Sequence, residues 1–169
     1  VTQTIPVEGG TIAVTATNGT RYTLAIPADA LMSDEEIVMK PLASMADVPL
    51  SGGLVAGVQL APNGLRLLQP ATLTIEGVPA FDPALQVVGF GYQESGDEFH
   101  LRPVLTNGST HTVKLFHFSG YGVSAGTPQE VQTQAAEHAP TAPDDAMAQE
   151  AAAGADGLAQ LVRWYENTL

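Results

Sequence analysis

The sequence predicts an all-β fold, an antiparallel β-sandwich of seven to nine strands followed by a helical tail. Three observations lead there. Up to about Thr127 the chain is a succession of short runs rich in β-branched residues, punctuated by Gly, Pro and Asn-Gly. Within those runs apolar residues alternate at period two, and helical periodicity is nearly absent. At 169 residues, with 44% hydrophobic and 14% charged residues, the chain holds enough apolar surface to offset the entropy of ordering one domain.

The first hairpin is the clearest element. Thr11–Thr17 and Arg21–Ile26 alternate around Asn18-Gly19, a dipeptide that tolerates the positive φ of a tight turn. Further strands are expected at Ile37–Lys40, Leu54–Leu60, Ala71–Glu76 and Leu85–Phe90. Asn107-Gly108 then separates Glu98–Arg102 from Thr110–Leu115, and Pro103 places a donor-free residue near a strand end. Ile12, Val14, Leu24, Ile26, Leu73, Ile75, Val87 and Leu101 occupy alternate positions and are expected to face the core.

From Pro128 the composition shifts to Ala, Gln, Glu and Asp, with Pro140 and Pro143 interrupting. This divides the chain into a sandwich over residues 1–127, a linker over 128–143 and an amphipathic helix over 144–169. Asp144 or Asp145 suits the helix cap, and Leu158, Leu161, Val162 and Tyr165 form one apolar stripe beside Trp164. Gly154 and Gly157 each weaken that helix by roughly 1 kcal/mol relative to Ala. The stripe is suited to docking on the sandwich or on a second copy, which makes a homo-oligomer through this helix an expectation.

Composition narrows the function classes. Eighteen acidic residues against six Lys and Arg give a formal net charge of −12, which repels phosphate backbones and anionic lipid headgroups, so nucleic acid is not expected as a partner. Residues 1–127 carry 11 acids and five bases and the remainder seven acids and one base, so neither part is basic. No Ca²⁺-loop spacing accompanies the acids. The absence of Cys removes disulfides, thiolate zinc ligands and thiol nucleophiles. No apolar run approaches the roughly 20 residues of a membrane span.

Several segments together resemble the ZU-five domain family, the β-sandwich domains of tight-junction scaffolds, netrin receptors, ankyrins and bacterial surface proteins. Gly9-Gly10 precedes the first hairpin, and Leu24-Ala25-Ile26-Pro27-Ala28-Asp29-Ala30-Leu31 looks like the family's strand ending in an Ile-Pro-x-x-Ala-Leu turn. Val58–Leu65 resembles its strand followed by Pro-x-Gly, Gln69–Ile75 its Pro-led strand, and His117-Phe118-Ser119 its closing His-Phe-Ser. These span roughly residues 9–124 in the family's order. The resemblance implies a sandwich in a secreted or cell-envelope protein, with a role in protein interaction or structure and with protein partners or neighbouring domains of the same polypeptide. It does not reach the helical tail.

His117-Phe118-Ser119 is the one constellation to which the resemblance attaches chemistry. In some relatives, and in a nucleoporin domain, the same tripeptide cuts itself between Phe and Ser. By that analogy the Ser119 hydroxyl attacks the Phe118 carbonyl and His117 accepts the hydroxyl proton. The competing reading is structural: Phe116 and Phe118 share one parity and fill the core, with His117 on the opposite face and Ser119 at the strand end. Gly120 follows where cleaving relatives carry a bulky aromatic, which relaxes the crowding that strain requires.

Other candidates read more simply as surface. His100, His111 and His117 lie near the last two long strands without the spacing of a metal site, and His111 is expected to face Leu101–Val104 across the Asn107-Gly108 hairpin. Asp34-Glu35-Glu36 and Asp97-Glu98 are adjacent acids that point to opposite faces of a strand, unlike a glycosidase pair, and the single Trp lies in the tail. Asn18-Gly19-Thr20 and Asn107-Gly108-Ser109 fit the glycosylation pattern but also serve as turns. With no phosphate loop, dinucleotide fingerprint or triad, the expectation is a non-enzymatic module without cofactor or metal, with self-cleavage at Phe118-Ser119 as the alternative.

Overall fold

In the computed structural model, residues 1–78, 80–93 and 98–137 are described. They form a sandwich of two antiparallel sheets built from β1 (Thr2–Ile5), β2 (Gly10–Thr15), β3 (Arg21–Ile26), β4 (Glu35–Pro41), β5 (Leu54–Ala61), β6 (Arg66–Glu76), β7 (Gln86–Tyr92), β8 (His100–Arg102), β9 (Leu105–Asn107), β10 (Thr110–His117) and β11 (Gly120–Gly126). One sheet runs β1-β4-β5-β11-β7-β8 and the other β2-β3-β6-β10-β9. The eleven strands exceed the seven to nine expected: β1 and β9, of four residues or fewer, are too short to show an alternation, and β11 is buried along its whole length and so shows none.

The first hairpin forms as its sequence dictates. Gly19 takes φ +89°, and Asn18 Oδ1 accepts the Thr20 amide at 3.1 Å, so the dipeptide supplies both the left-handed residue and the side-chain brace. Ile12, Leu24, Ile26, Leu73 and Ile75 are buried between the sheets with Val58, Leu60, Val113, Tyr121 and Val123, while Val14 and Val87 pack partly buried against them. Tyr22 crosses that core: its hydroxyl accepts the Gly57 amide at 3.0 Å, linking the two sheets, and burial raises its pKa despite that bond.

Two expectations about pairing are corrected. β10 does pair across Asn107-Gly108, but with the short β9; His111 is opposite Thr106, not Leu101–Val104. Glu98–Arg102 contributes β8 to the other sheet, beside β7. Pro103 and Val104 carry the chain from one sheet to the other between the two strands. A missing N–H cannot extend a ladder, and the segment changes partner there.

The linker expected from residue 128 is also corrected, because Pro128–Glu137 form helix α1. Thr127 Oγ1 accepts the Glu130 amide at 3.2 Å and Glu130 Oε2 accepts the Thr127 amide at 2.8 Å, a reciprocal cap with Pro128 at the first helical position. The same carboxylate accepts the Ser51 hydroxyl at 2.8 Å. These bonds, the Thr127 amide first, hold the Glu130 carboxyl below its ordinary pKa. Val131 packs against a second cluster of Leu50, Phe90, Tyr92 and Phe99, in which the Phe90 and Phe99 rings stack at 5.1 Å. The helix expected over 144–169 lies outside the described residues.

His111 is the buried polar residue of the inner face of β10. It is 1% exposed, its Nδ1 lies 3.0 Å from Thr106 Oγ1 and its Nε2 has no hydrogen-bond partner. Burial lowers its pKa, so the folded protein holds the ring neutral where the unfolded chain would protonate it. The linked stability is fully present above about pH 6.5, the unfolded value, and is lost as pH falls toward the folded one. Urea midpoints at pH 7.5 and 5.5 are expected to fall further for the native chain than for His111→Leu. Equal losses in the two proteins would show that His111 contributes nothing to acid sensitivity.

Candidate functional site

His117-Phe118-Ser119 is the corner between β10 and β11, where the chain passes from one sheet to the other. The pairing of β10 with β6 is irregular between Leu115 and His117: Leu115 is opposite Ala71, but His117 is opposite Arg66. That irregularity changes the parity. His111, Val113 and Leu115 point inward, then Phe118 does, at 0% exposure, while Phe116 stays half-buried with Thr112 and Lys114. The expectation that both Phe116 and Phe118 fill the core therefore holds for Phe118 alone, because a bulge breaks the period-two relation between them.

The corner is bonded on both sides through its backbone. The Phe118 amide donates to Leu65 O at 2.8 Å, Phe118 O accepts the Gly64 amide at 2.8 Å, and Ser119 O accepts the Leu60 amide at 3.0 Å. Ser119 is 2% exposed and its hydroxyl donates to Gly120 O at 3.5 Å. The Tyr92 ring covers Gly120: a Cβ added there would lie 1.9 Å from the ring. The room left by the small residue at 120 is thus filled by a cross-strand aromatic, since Tyr92 pairs with Gly120.

The His117 ring belongs to a polar chain. Tyr121 OH donates to His117 O at 2.8 Å and lies 3.3 Å from His117 Nδ1, while an Arg102 terminal nitrogen is 3.5 Å from His117 Nε2. Arg102 Nε donates to His100 Nε2 at 3.0 Å, and His100 Nδ1 is 2.7 Å from Glu98 O. A guanidinium can only donate, so His100 accepts from Arg102 at Nε2 and turns Nδ1 to the Glu98 carbonyl. Glu98 adopts φ +54°, an uncommon conformation for a non-Gly residue, in the turn that brings its carbonyl to His100.

The three histidines do not come together. His100 and His117 meet through Arg102, whereas His111 lies in the core against Thr106. No group of three or more His, Asp or Glu suited to a metal ion occurs among the described residues. Asp34 and Glu35 are engaged at the surface, Asp34 Oδ1 accepting the Val7 amide at 3.1 Å and Glu35 Oε1 the Ser33 hydroxyl at 2.8 Å.

A cleft of about 300 Å³ opens beside this chain, lined by Gly64, Arg66, Gln93, Glu98, His100, Arg102 and His117. β8 supplies His100 and Arg102 from one sheet; β6 and β10 supply Arg66 and His117 from the other. Arg66 and Arg102 carry no motif that reveals them. The available signal is compositional: two of the four Arg and two of the four His in an acidic chain meet here. Comparison with family models and with curated proteins finds no match. No helix among the described residues is long and apolar enough to cross a membrane.

Proposed function

We propose that the chain is a non-enzymatic protein-interaction or structural module of a larger secreted or cell-envelope protein, engaging a protein partner or neighbouring domains of its own polypeptide. One observation supports the non-catalytic reading above the others. The side chains of the one sequence motif with chemistry attached are taken up by the fold: Phe118 by the core, the Ser119 hydroxyl by Gly120 O, and the His117 nitrogens by Tyr121 and Arg102. A general base must reach the proton it removes, and the His117 ring nitrogens lie against Tyr121 OH and Arg102. The compartment rests on the ZU-five resemblance.

A self-processing reading draws on one contact, the Gly64 amide 2.8 Å from Phe118 O. That donor is where an oxyanion would be stabilised if Ser119 Oγ attacked the Phe118 carbonyl carbon. The C–O bond would form, the C–N bond to Ser119 would break with the amine taking the proton, and water would then hydrolyse the resulting ester to release the two chains. Denaturing intact-mass measurement of fresh and incubated protein decides between the readings. A single species near 17.5 kDa, identical in behaviour for Ser119→Ala, is the expected result. Two fragments meeting at Phe118 and Ser119, absent from the variant, would overturn the non-catalytic reading.

A further inference from the structure

We infer that β2 pairs edge to edge with the β2 of a second copy of the chain, antiparallel, about a two-fold axis through Ala13. Gly10–Thr15 ends the five-stranded sheet, with β3 on one side and no described strand on the other. Its unused backbone groups can be identified. Thr11 O accepts the Gln3 side-chain amide at 3.3 Å in an exposed position, whereas the Ala16 amide donates inward across the hairpin to Thr20 O at 2.8 Å. Alternation along an antiparallel ladder then turns the N–H and C=O of Thr11, Ala13 and Thr15 outward, and those of Ile12 and Val14 toward β3. The other described edges, β1, β8 and β9, are four residues or fewer. β2 has six, in unbroken register with β3 and without a charge, Pro or bulge, the devices that protect an edge from further pairing.

The order of the side chains selects the occupant. Thr11-Ile12-Ala13-Val14-Thr15 has the same character read from either end. A second copy laid antiparallel on this edge sets Thr11 opposite the second copy's Thr15, Ala13 opposite Ala13 and Ile12 opposite Val14. The Thr11–Thr15 and Ala13–Ala13 pairs then exchange both N–H···O bonds, and Thr opposite Thr is a favourable cross-strand pair. On the inner face the half-buried Val14 closes against the second copy's Ile12. Each copy uses the same strand, so the pairing stops at a dimer. A net charge of −12 on each copy opposes the approach and the ladder is short, which suits a dissociation constant in the micromolar to millimolar range. A second copy is one protein partner of the kind the interaction-module reading calls for, and the pairing rests on that reading; a monomeric chain would remove the pairing and leave the intact-mass result unchanged.

Sedimentation velocity of the full chain across the micromolar to millimolar range tests the pairing. The native chain is expected to pass from monomer to dimer. Ala13→Lys and Ala13→Glu each set like charges opposite one another at the axis, and each is expected to weaken association at least about tenfold. An equimolar mixture of the two sets Lys against Glu and is expected to restore the dimer, which also shows that both variants fold. In the native chain the amides of Thr11, Ala13 and Thr15 are expected to gain protection from hydrogen exchange as concentration rises, while those of Ile12 and Val14 are protected throughout. A native chain that stays monomeric, a dimer indifferent to both substitutions, or a mixture no better associated than either variant alone would overturn the pairing.

Discussion

Phe118→Ala is expected to cost about 3–5 kcal/mol of folding stability, the range for truncating a buried aromatic. Phe118 is 0% exposed and lies in the cluster that joins the two sheets. Its backbone is held by Leu65 and Gly64, so the corner cannot readily slide to fill the space. Phe118→Leu keeps much of the volume and is expected to lose less. Ser119→Ala removes only a 3.5 Å hydroxyl contact and is expected to stay within about 1 kcal/mol of the native chain. Urea midpoints at unchanged m-value read all three. A Ser119→Ala loss as large as that of Phe118→Ala would show that the hydroxyl, not the ring, organises this corner.

Gly120→Ala is expected to destabilise the fold by about 3 kcal/mol, the upper range for forcing a methyl group into filled space. The added carbon would lie 1.9 and 2.0 Å from two carbons of the Tyr92 ring and 2.5 Å from its hydroxyl oxygen. That ring is 4% exposed and packs with Phe90 at a centroid distance of 6.1 Å, so it cannot swing aside without opening the second cluster. Its hydroxyl has no partner and burial pushes its pKa up to about 12, which reports a dry surrounding. A double-mutant cycle isolates the clash: in a Tyr92→Val background the Gly120→Ala change is expected to cost less than about 1 kcal/mol. The same penalty in both backgrounds would place the obstacle elsewhere.

The Gly120–Tyr92 pair bears on how the corner is read. The sequence shows a small residue after Ser119 and suggests space there. The structure fills that space from β7, a strand nearly thirty positions away, so crowding at the corner depends on a residue that local inspection does not connect with it.

Period-two alternation and Asn-Gly turns are local properties of the backbone, and they determined the all-β class, the β2–β3 hairpin and the inward residues Ile12, Leu24, Ile26, Leu73 and Ile75. The start of α1 was equally local: Thr127, Pro128 and Glu130 spell a capped helix, and the Ala- and Gln-rich composition around them concealed it. Only the tertiary structure decided which strands share a sheet. Pro103 and Val104 separate β8 from β9, and the irregular pairing beyond Leu115 sends Phe118 inward and leaves Phe116 half-buried. The meeting of Arg66, His100, Arg102 and His117 belongs to the same class, because it needs strands of both sheets and a register that no single segment encodes. Side-chain direction along a strand is a short-range consequence of the pleat, whereas the choice of partner strand is settled by burial summed over the whole sandwich.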